Sequence, residues 1–469
     1  MAAVTGRGPS FNGSDSMSVD FVRPEHARGT GGGRRRDRVI NSQWIPVWTE
    51  THPVTARLRS RVMDLDRTPD MPVYVIGGGP AGLATAAALR EEGVRAVVLE
   101  KSPAVGASWR GHYDRLRLHT TRRKSALPGL PMPRSFGRWV SRDDVVRYLE
   151  KYAEFHELDV VTGVEVTRVE PVPAAPSGAV PTPGSAPAPT PGKRRRRQPA
   201  PAAWLLHATG GRRLLGRAVV VASGYSHTPR LPDWPGSPSF TRPLLHAREY
   251  RDPAPYEGMD VLVVGVGNTG AEIAVDLADG GAARVRLAVR TPPHIVRRST
   301  LGWSAQHSAI AVRRLPVFLV DRLARAQSAL AVPDLSAYGL PRPAKGLYTR
   351  VGEGALPVQD TGLVRAVQRG AVEPVAAVES FDGDTVVLAD GEKLSPDAVI
   401  AATGYERGLG GMLGHLGVLD DRGRPRARGR RCPAGAPGLY FTGFTNPLTG
   451  MLREISLDAG RIAKAIARH

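Results

Sequence analysis

Two short apolar runs end alike, and each leads into a stretch of helical periodicity. Val73-Tyr74-Val75-Ile76 passes into Gly77-Gly78-Gly79-Pro80-Ala81-Gly82, and Leu83 to Glu92 then reads as a helix. Val261-Leu262-Val263-Val264 passes into Gly265-Val266-Gly267-Asn268-Thr269-Gly270, with a helix predicted from Ala271 to Asp279. A short, uninterrupted apolar run that stops at glycine predicts a strand buried on both faces. The same pattern predicts strands at Val94 to Leu99, Val160 to Val169, Trp204 to Ala208, Leu214 to Ser223, Val285 to Val289, Ala398 to Ala402 and Gly438 to Gly443. Val372 to Val378 and Thr385 to Leu388 read as a hairpin around Asp382-Gly383-Asp384. Ser141 with Asp144 three residues on marks a helix start, followed by Val145, Leu149, Tyr152 and Ala153 at helical spacing. A last helix, Arg453 to Ala467, carries Ile455, Ala459, Ile462 and Ile466 on one face. Strands alternating with helices place the chain in the α/β class.

The 469 residues suffice for two or three domains with cores of their own. A single cysteine, Cys432, excludes an internal disulfide and a redox-active cysteine pair. No apolar run approaches the ~20 residues of a membrane span, and the N-terminus lacks a signal-peptide core. A cytoplasmic protein with no membrane partner is the expectation. The formal charge of +20 raises nucleic acid or another polyanion as a partner. Arginine is spread along the whole chain without a nucleic-acid motif, so no such partner is expected. Residues 1–70 are rich in Gly, Ser and Arg and read as a disordered or irregular extension, with a short ordered piece around Trp44 to Trp48. Pro171 to Ala202 is a Pro/Ala/Gly tract ending in Lys193-Arg194-Arg195-Arg196-Arg197, a flexible excursion between two strands. His294, His307 and His415 have no metal-ligand spacing, and no metal is expected. No catalytic triad or carboxylate pair stands out, and the pattern loosens from Leu301 to Pro357.

The chemistry therefore rests on the two glycine turns. In Gly-x-Gly-x-x-Gly between strand and helix, the first glycine permits the turn. The second lets a pyrophosphate approach the backbone, and the third lets the helix pack on the strand. Gly77, Gly78, Gly79, Pro80, Ala81 and Gly82 form one candidate dinucleotide site, and Gly265, Val266, Gly267, Asn268, Thr269 and Gly270 the other. The two differ after the next strand. The first has Glu100, with Lys101 beside it, and a carboxylate there accepts hydrogen bonds from a ribose diol. The second has Arg290-Thr291, and a guanidinium suits a 2′-phosphate. One site thus expects a cofactor with a free 2′-hydroxyl, the other NADPH. FAD is the usual partner in such hydride traffic.

Further strings carry a resemblance. Phe240-Thr241-Arg242-Pro243-Leu244-Leu245-His246-Ala247-Arg248-Glu249-Tyr250 is similar to a Phe-x-Gly-x-x-x-His-x-x-x-Tyr fingerprint, with Arg242 in place of the glycine. Ala402-Thr403-Gly404-Tyr405, Trp109-Arg110, Leu116 to His119, Leu127-Pro128 and Pro357-Val358-Gln359-Asp360 match in type and order. From Met71 to near the C-terminus the chain resembles a class B flavin-dependent monooxygenase of the YUCCA-like branch. The resemblance implies two three-layer, Rossmann-type dinucleotide-binding domains, for FAD and NADPH, the second inserted into the first. The implied boundaries are a FAD domain of 71–240 and 370–469 around an NADPH domain of 241–369. It implies that Trp109, Arg110, Leu118 and His119 line FAD and that Thr403 and Gly404 lie near the cofactors. It also implies that His246 and Tyr250 lie in the linker between the domains. The implied activity is NADPH-driven reduction of FAD, a C4a-hydroperoxyflavin, and insertion of one oxygen atom into a small organic substrate at nitrogen, sulfur or beside a carbonyl. A monomer or homodimer is expected.

Two other readings stand beside this one. A flavin reductase or NADPH oxidase has the same cofactors without oxygen transfer. An anion- or nucleic-acid-binding protein with a vestigial cofactor fold draws on the net charge and on Lys193 to Arg197.

Overall fold

The structure is a computed structural model that describes residues 71–173, 203–300 and 302–468. The N-terminal extension, its Trp44 to Trp48 piece and nearly all of the 171–202 excursion lie outside the described residues.

The first unit is built on β1 (Val73–Ile76), whose four residues are all buried. Successive side chains of a strand point to opposite faces. Val73 and Val75 accordingly join the core under the helices, and Tyr74 and Ile76 join a second core on the other face. Helix α1 (Pro80–Glu91) opens with proline at its first position, where the missing N–H costs nothing. Then follow β2 (Ala96–Leu99) and α2 (Arg142–Phe155). Ser141 caps α2 as expected, its hydroxyl accepting from the Asp144 amide at 3.2 Å. Next come β3 (Val160–Val161), β4 (Val166–Val172), β5 (Ala203–Ala208), β6 (Arg212–Gly216) and β7 (Ala218–Val221).

The chain then enters the second unit through β8 (Leu244–His246). β9 (Asp260–Val264) repeats the division seen in β1: Val261 and Val263 face the helices, Leu262 and Val264 the opposite core. α3 (Asn268–Asp279) and β10 (Arg284–Ala288) follow, then a helical excursion containing α4 (Val317–Ala331). The unit is completed by β11 (Glu373–Val375), β12 (Val378–Asp382), β13 (Thr385–Leu388), β14 (Lys393–Leu394) and β15 (Ala398–Ala401). Only then does the chain return to the first sheet with β16 (Leu439–Phe441) and the closing helix α5 (Met451–Ala467).

Both main sheets have five parallel strands, in the orders β16-β7-β1-β2-β3 and β11-β10-β9-β15-β8. One face of each is covered by helices and the other by a three-stranded antiparallel sheet, β4-β5-β6 or β12-β13-β14. The α/β class and the paired three-layer architecture agree with the sequence reading. α5 lies on alanine-rich α1, burying Ile455, Ala459, Ile462 and Ile466 as expected.

Several expectations change: Val160 to Val169 and Leu214 to Ser223 each divide into two strands that lie in different sheets, β3 and β4 in the first case and β6 and β7 in the second. Glu373–Val375 does not pair as a hairpin strand. It joins β10 in parallel at the sheet edge, the place where Pro374 is tolerated, and the hairpin starts at Val378. β15 pairs with β9 in the interior of the second sheet. Residues between 370 and 401, expected in the FAD domain, thus supply strands to the second parallel sheet and to the antiparallel sheet packed on it.

Candidate nucleotide and substrate site

The two glycine turns are near copies. Gly77 has φ +111 and Gly265 φ +107, a region that a side chain disfavours. A Cβ on Gly82 would lie 1.8 Å from the Gly77 carbonyl oxygen, and one on Gly270 would lie 1.9 Å from that of Gly265. These positions are glycine because the protein itself leaves no room. Gly79 and Gly267 differ. Both are extended N-cap residues with no protein atom within 4 Å of an added Cβ. Nothing in the fold requires glycine there, whereas a pyrophosphate lying on the turn does. The open helix ends of α1 and α3 face the same positions with free N–H groups and positive dipole ends. The chain thus fits two dinucleotides.

Glu100 is buried. Its Oε2 accepts from the Gly78 amide at 2.6 Å and its Oε1 from the Ser102 amide at 2.8 Å. A carboxylate has about four acceptor positions, so each oxygen keeps room for a further donor. Register refines the contrast with Arg290. Ile76 pairs with Leu99 and Val264 with Ala288, so the equivalent of Glu100 is Val289, and Arg290 corresponds to Lys101. Lys101 lies 3.7 Å from Glu165, whereas Arg290 is exposed and has no ion-pair partner among the described residues. Thr291 is exposed beside it.

A cavity of about 800 Å³ opens at the carboxyl ends of the first sheet. Of the expected residues it is lined by Gly77, Gly79, Pro80, Ala81, Glu100, Lys101, Trp109, Leu118, His119 and, from the second unit, Asn268. Gly78 and Gly82 sit inside the turn. Gly265, Val266, Gly267, Thr269, Gly270, Arg290 and Thr291 lie outside this cavity, on the second unit. Arg110 points away and pairs with Glu150 on α2. Thr403 and Gly404 do not line the cavity either: the Thr403 hydroxyl donates to the Arg230 carbonyl, and the Gly404 carbonyl accepts from the Arg230 amide and from His246.

His246 is buried and joins the units' connecting segments. Its Nε2 donates to the Gly404 carbonyl at 3.0 Å, and its Nδ1 accepts from the Arg248 amide at 3.1 Å. Those partners assign the neutral tautomer, and burial lowers its pKa. Arg242, in the fingerprint's glycine position, needs no left-handed backbone, since Glu157 alone among the described non-glycine residues has positive φ. Its guanidinium donates to the Ser395 and Pro396 carbonyls and pairs with Asp397 at 3.0 Å. The arginine stitches the turn that a glycine would leave open.

Sequence reasoning missed one cluster. Glu272, on the second turn of α3, is buried against the first unit. It accepts from the Tyr113 hydroxyl at 2.8 Å and contacts His119 Nε2 at 2.6 Å. Burial pushes its carboxyl up, but the His119 and Tyr113 contacts and the nearby Arg298 charge outweigh that and hold it below the usual carboxylate range. Asp276 accepts from the Tyr250 hydroxyl at 2.8 Å, and Arg115 reaches Asp279 at 2.8 Å. One helix face, with acids at i, i+4 and i+7, thus grips the segment that lines the cavity. The signal in the sequence was an acid inside the helix's apolar stripe. Other lining residues not singled out are His112, Arg248 and Leu356. Among the described residues no group of His, Cys, Asp or Glu is arranged to hold a metal ion, and no helix is long and apolar enough to cross a membrane.

Comparison with known proteins agrees with this geometry. Residues 211–409 match the family described as Flavin-binding monooxygenase-like, and residues 74–175 match Pyridine nucleotide-disulphide oxidoreductase. The chain is 34% identical over 396 residues to indole-3-pyruvate monooxygenase YUCCA1 of Oryza sativa subsp. japonica, covering 84% of this chain and 90% of that protein. It is 32% identical to the probable indole-3-pyruvate monooxygenase YUCCA9 of Arabidopsis thaliana, covering 84% of this chain and 88% of that one. In fold it matches a flavin-containing monooxygenase from Stenotrophomonas maltophilia, with TM-score 0.59, 22% identity, and coverage of 84% and 98% of the two chains. The chain belongs to the flavin-binding monooxygenases, in their YUCCA-like branch, and is an FAD- and NADPH-dependent oxidoreductase that inserts one oxygen atom into a small substrate.

Proposed function

We propose that the 800 Å³ cavity is the FAD site and that the second turn takes NADPH. The pyrophosphate of FAD would lie on Gly77 to Gly82, with the ribose diol on Glu100 and the flavin end towards Trp109, Leu118 and His119. The single observation that carries the assignment is the unlike pair at equivalent register. Glu100 offers a carboxylate to hydroxyls, beside a lysine already close to Glu165. Val289 offers no negative charge to repel a phosphate, and Arg290 beside it is unpaired among the described residues. Thr403 and Gly404 act at one remove, by fixing the crossing between the units. When bound, FAD supplies the electron storage and the dioxygen chemistry. The chain's own residues bind, orient and exclude water, with Leu118, Leu356, Pro357 and Met412 giving apolar walls.

The curated relatives are named for indole-3-pyruvate, and an aromatic 2-oxo acid is the substrate to test first. Protein purified with its flavin is given NADPH and the 2-oxo acid under ¹⁸O₂. One ¹⁸O atom in the organic product for each NADPH consumed is expected. NADPH consumption balanced by hydrogen peroxide, with no label in the product, overturns the reading in favour of an oxidase.

A further inference from the structure

α4 is apolar on both sides. Its inner face buries Val320, and its lone acid, Asp321, accepts from the Tyr348 amide at 2.6 Å. The outer face should then be polar, as on an ordinary surface helix. Instead Leu319, Leu323, Ala326 and Leu330 follow helical spacing along it, with Leu330 93% and Leu323 53% exposed. Phe318 is 69% exposed at its start, and Leu315 and Val317 are exposed in the turn before. Scattered exposed leucines are ordinary, but a contiguous stripe marks a covered surface.

Charge says what covers it. Arg322 and Arg325 run along one edge of the stripe, and Arg313 and Arg314 precede it, all four exposed. Between Gly302 and Val332 the only acid is Asp321, already engaged. A second copy of the chain packed about a two-fold axis would bring these arginines against their own counterparts with no carboxylate to answer them. An apolar stripe edged by arginine, on a chain of net charge +20, instead fits the boundary between acyl chains and anionic headgroups. We propose that α4 and the turn before it form a peripheral docking surface for a bilayer carrying anionic lipid. The absence of a spanning helix is no objection, because a helix lying in the interface needs no span. The proposal is independent of which cofactor occupies which turn.

The test is sedimentation of the full-length flavoprotein with vesicles of phosphatidylglycerol and phosphatidylcholine, against phosphatidylcholine alone. Binding to the anionic vesicles is expected, and much weaker binding to the neutral ones. R322Q/R325Q should lower the apparent affinity roughly 30-fold, since each arginine near such a surface contributes about fivefold. F318S/L323S should leave the protein in the supernatant. Both variants should keep their flavin and their rate of NADPH oxidation, which shows that they are folded. Wild-type protein that ignores anionic vesicles overturns the proposal. So does an F318S/L323S variant that sediments like wild type, which would place binding elsewhere on the basic surface. A dimer that dissociates in F318S/L323S, with no vesicle binding, would assign the stripe to a second copy.

Discussion

Glu272 offers the sharpest test of how the units are held together. Replacing it with alanine removes the acceptor of the Tyr113 hydroxyl at 2.8 Å and of His119 at 2.6 Å. It leaves the buried Tyr113 hydroxyl without a partner and Arg298 without its nearest compensating charge. Breaking one partner out of a buried charged cluster costs about 3 to 5 kcal/mol. At roughly 1 to 2 °C per kcal/mol for a chain of this size, the melting temperature should fall by roughly 3 to 10 °C. Glu272→Gln keeps the volume and one acceptor and should cost less, about 1 to 2 kcal/mol. The assay is thermal release of bound flavin at a fixed scan rate, because unfolding of a chain this size need not be reversible. The sign with pH follows from the depressed carboxyl. Its contribution is complete above the unfolded value of about 4.3 and is lost as pH falls through the lower folded value. Glu272→Gln should therefore flatten the acid limb of the stability curve. A double-mutant cycle with Tyr113→Phe should give a coupling of roughly 1 kcal/mol or more. An alanine variant melting within about 1 °C of wild type (roughly 1 kcal/mol or less), or strict additivity with Tyr113→Phe, refutes the idea that this cluster joins the units.

Gly82→Ala and Gly79→Ala should separate folding from binding. The first puts a Cβ 1.8 Å from the Gly77 carbonyl and should yield no folded flavoprotein, whereas the second meets no protein atom. Gly79→Ala should show native circular dichroism with a reduced flavin-to-protein absorbance ratio. Arg290→Gln should raise KM for NADPH roughly tenfold to a hundredfold, the effect of a hydrogen bond to a charged group, and leave NADH kinetics unchanged. Burial, reinforced by Arg251, Arg248 and Arg142, pushes the His112 imidazole down to about 4. Its contribution to stability is complete above the unfolded value of about 6.5 and is lost as pH falls towards 4, at most about 3 kcal/mol. His112→Asn should remove that part of the pH dependence in denaturant titrations.

Much of this was legible because it is local. The four residues of β1 and of β9 announce buried strands, and the glycines after them announce the turns. The acid at Glu100 and the base at Arg290 follow within one strand and one helix. What escaped depends on partners distant in sequence. Glu373–Val375 is too short to say which neighbour it will join, and the turn at Gly383 drew it into a hairpin that begins later. Val289 reads as the last residue of a strand, which hid that Arg290 stands one place beyond the position of Glu100. Nothing near Glu272 foretells His119, and an isolated acid in an apolar stripe is easily passed over. The outer leucines of α4 were visible, but only the fold shows that the inner face is already satisfied.

The route of the chain has a consequence for how the molecule is made. The first parallel sheet lacks its β16 edge, and α1 its α5 cover, until the segment after the second unit is available. By then the whole second unit has been synthesised and can already be folded. The pocket beneath the first glycine turn is thus encoded before the second unit but completed only by segments encoded after it. A chain truncated before β16 should lose the site at the first glycine turn and spare the one at the second.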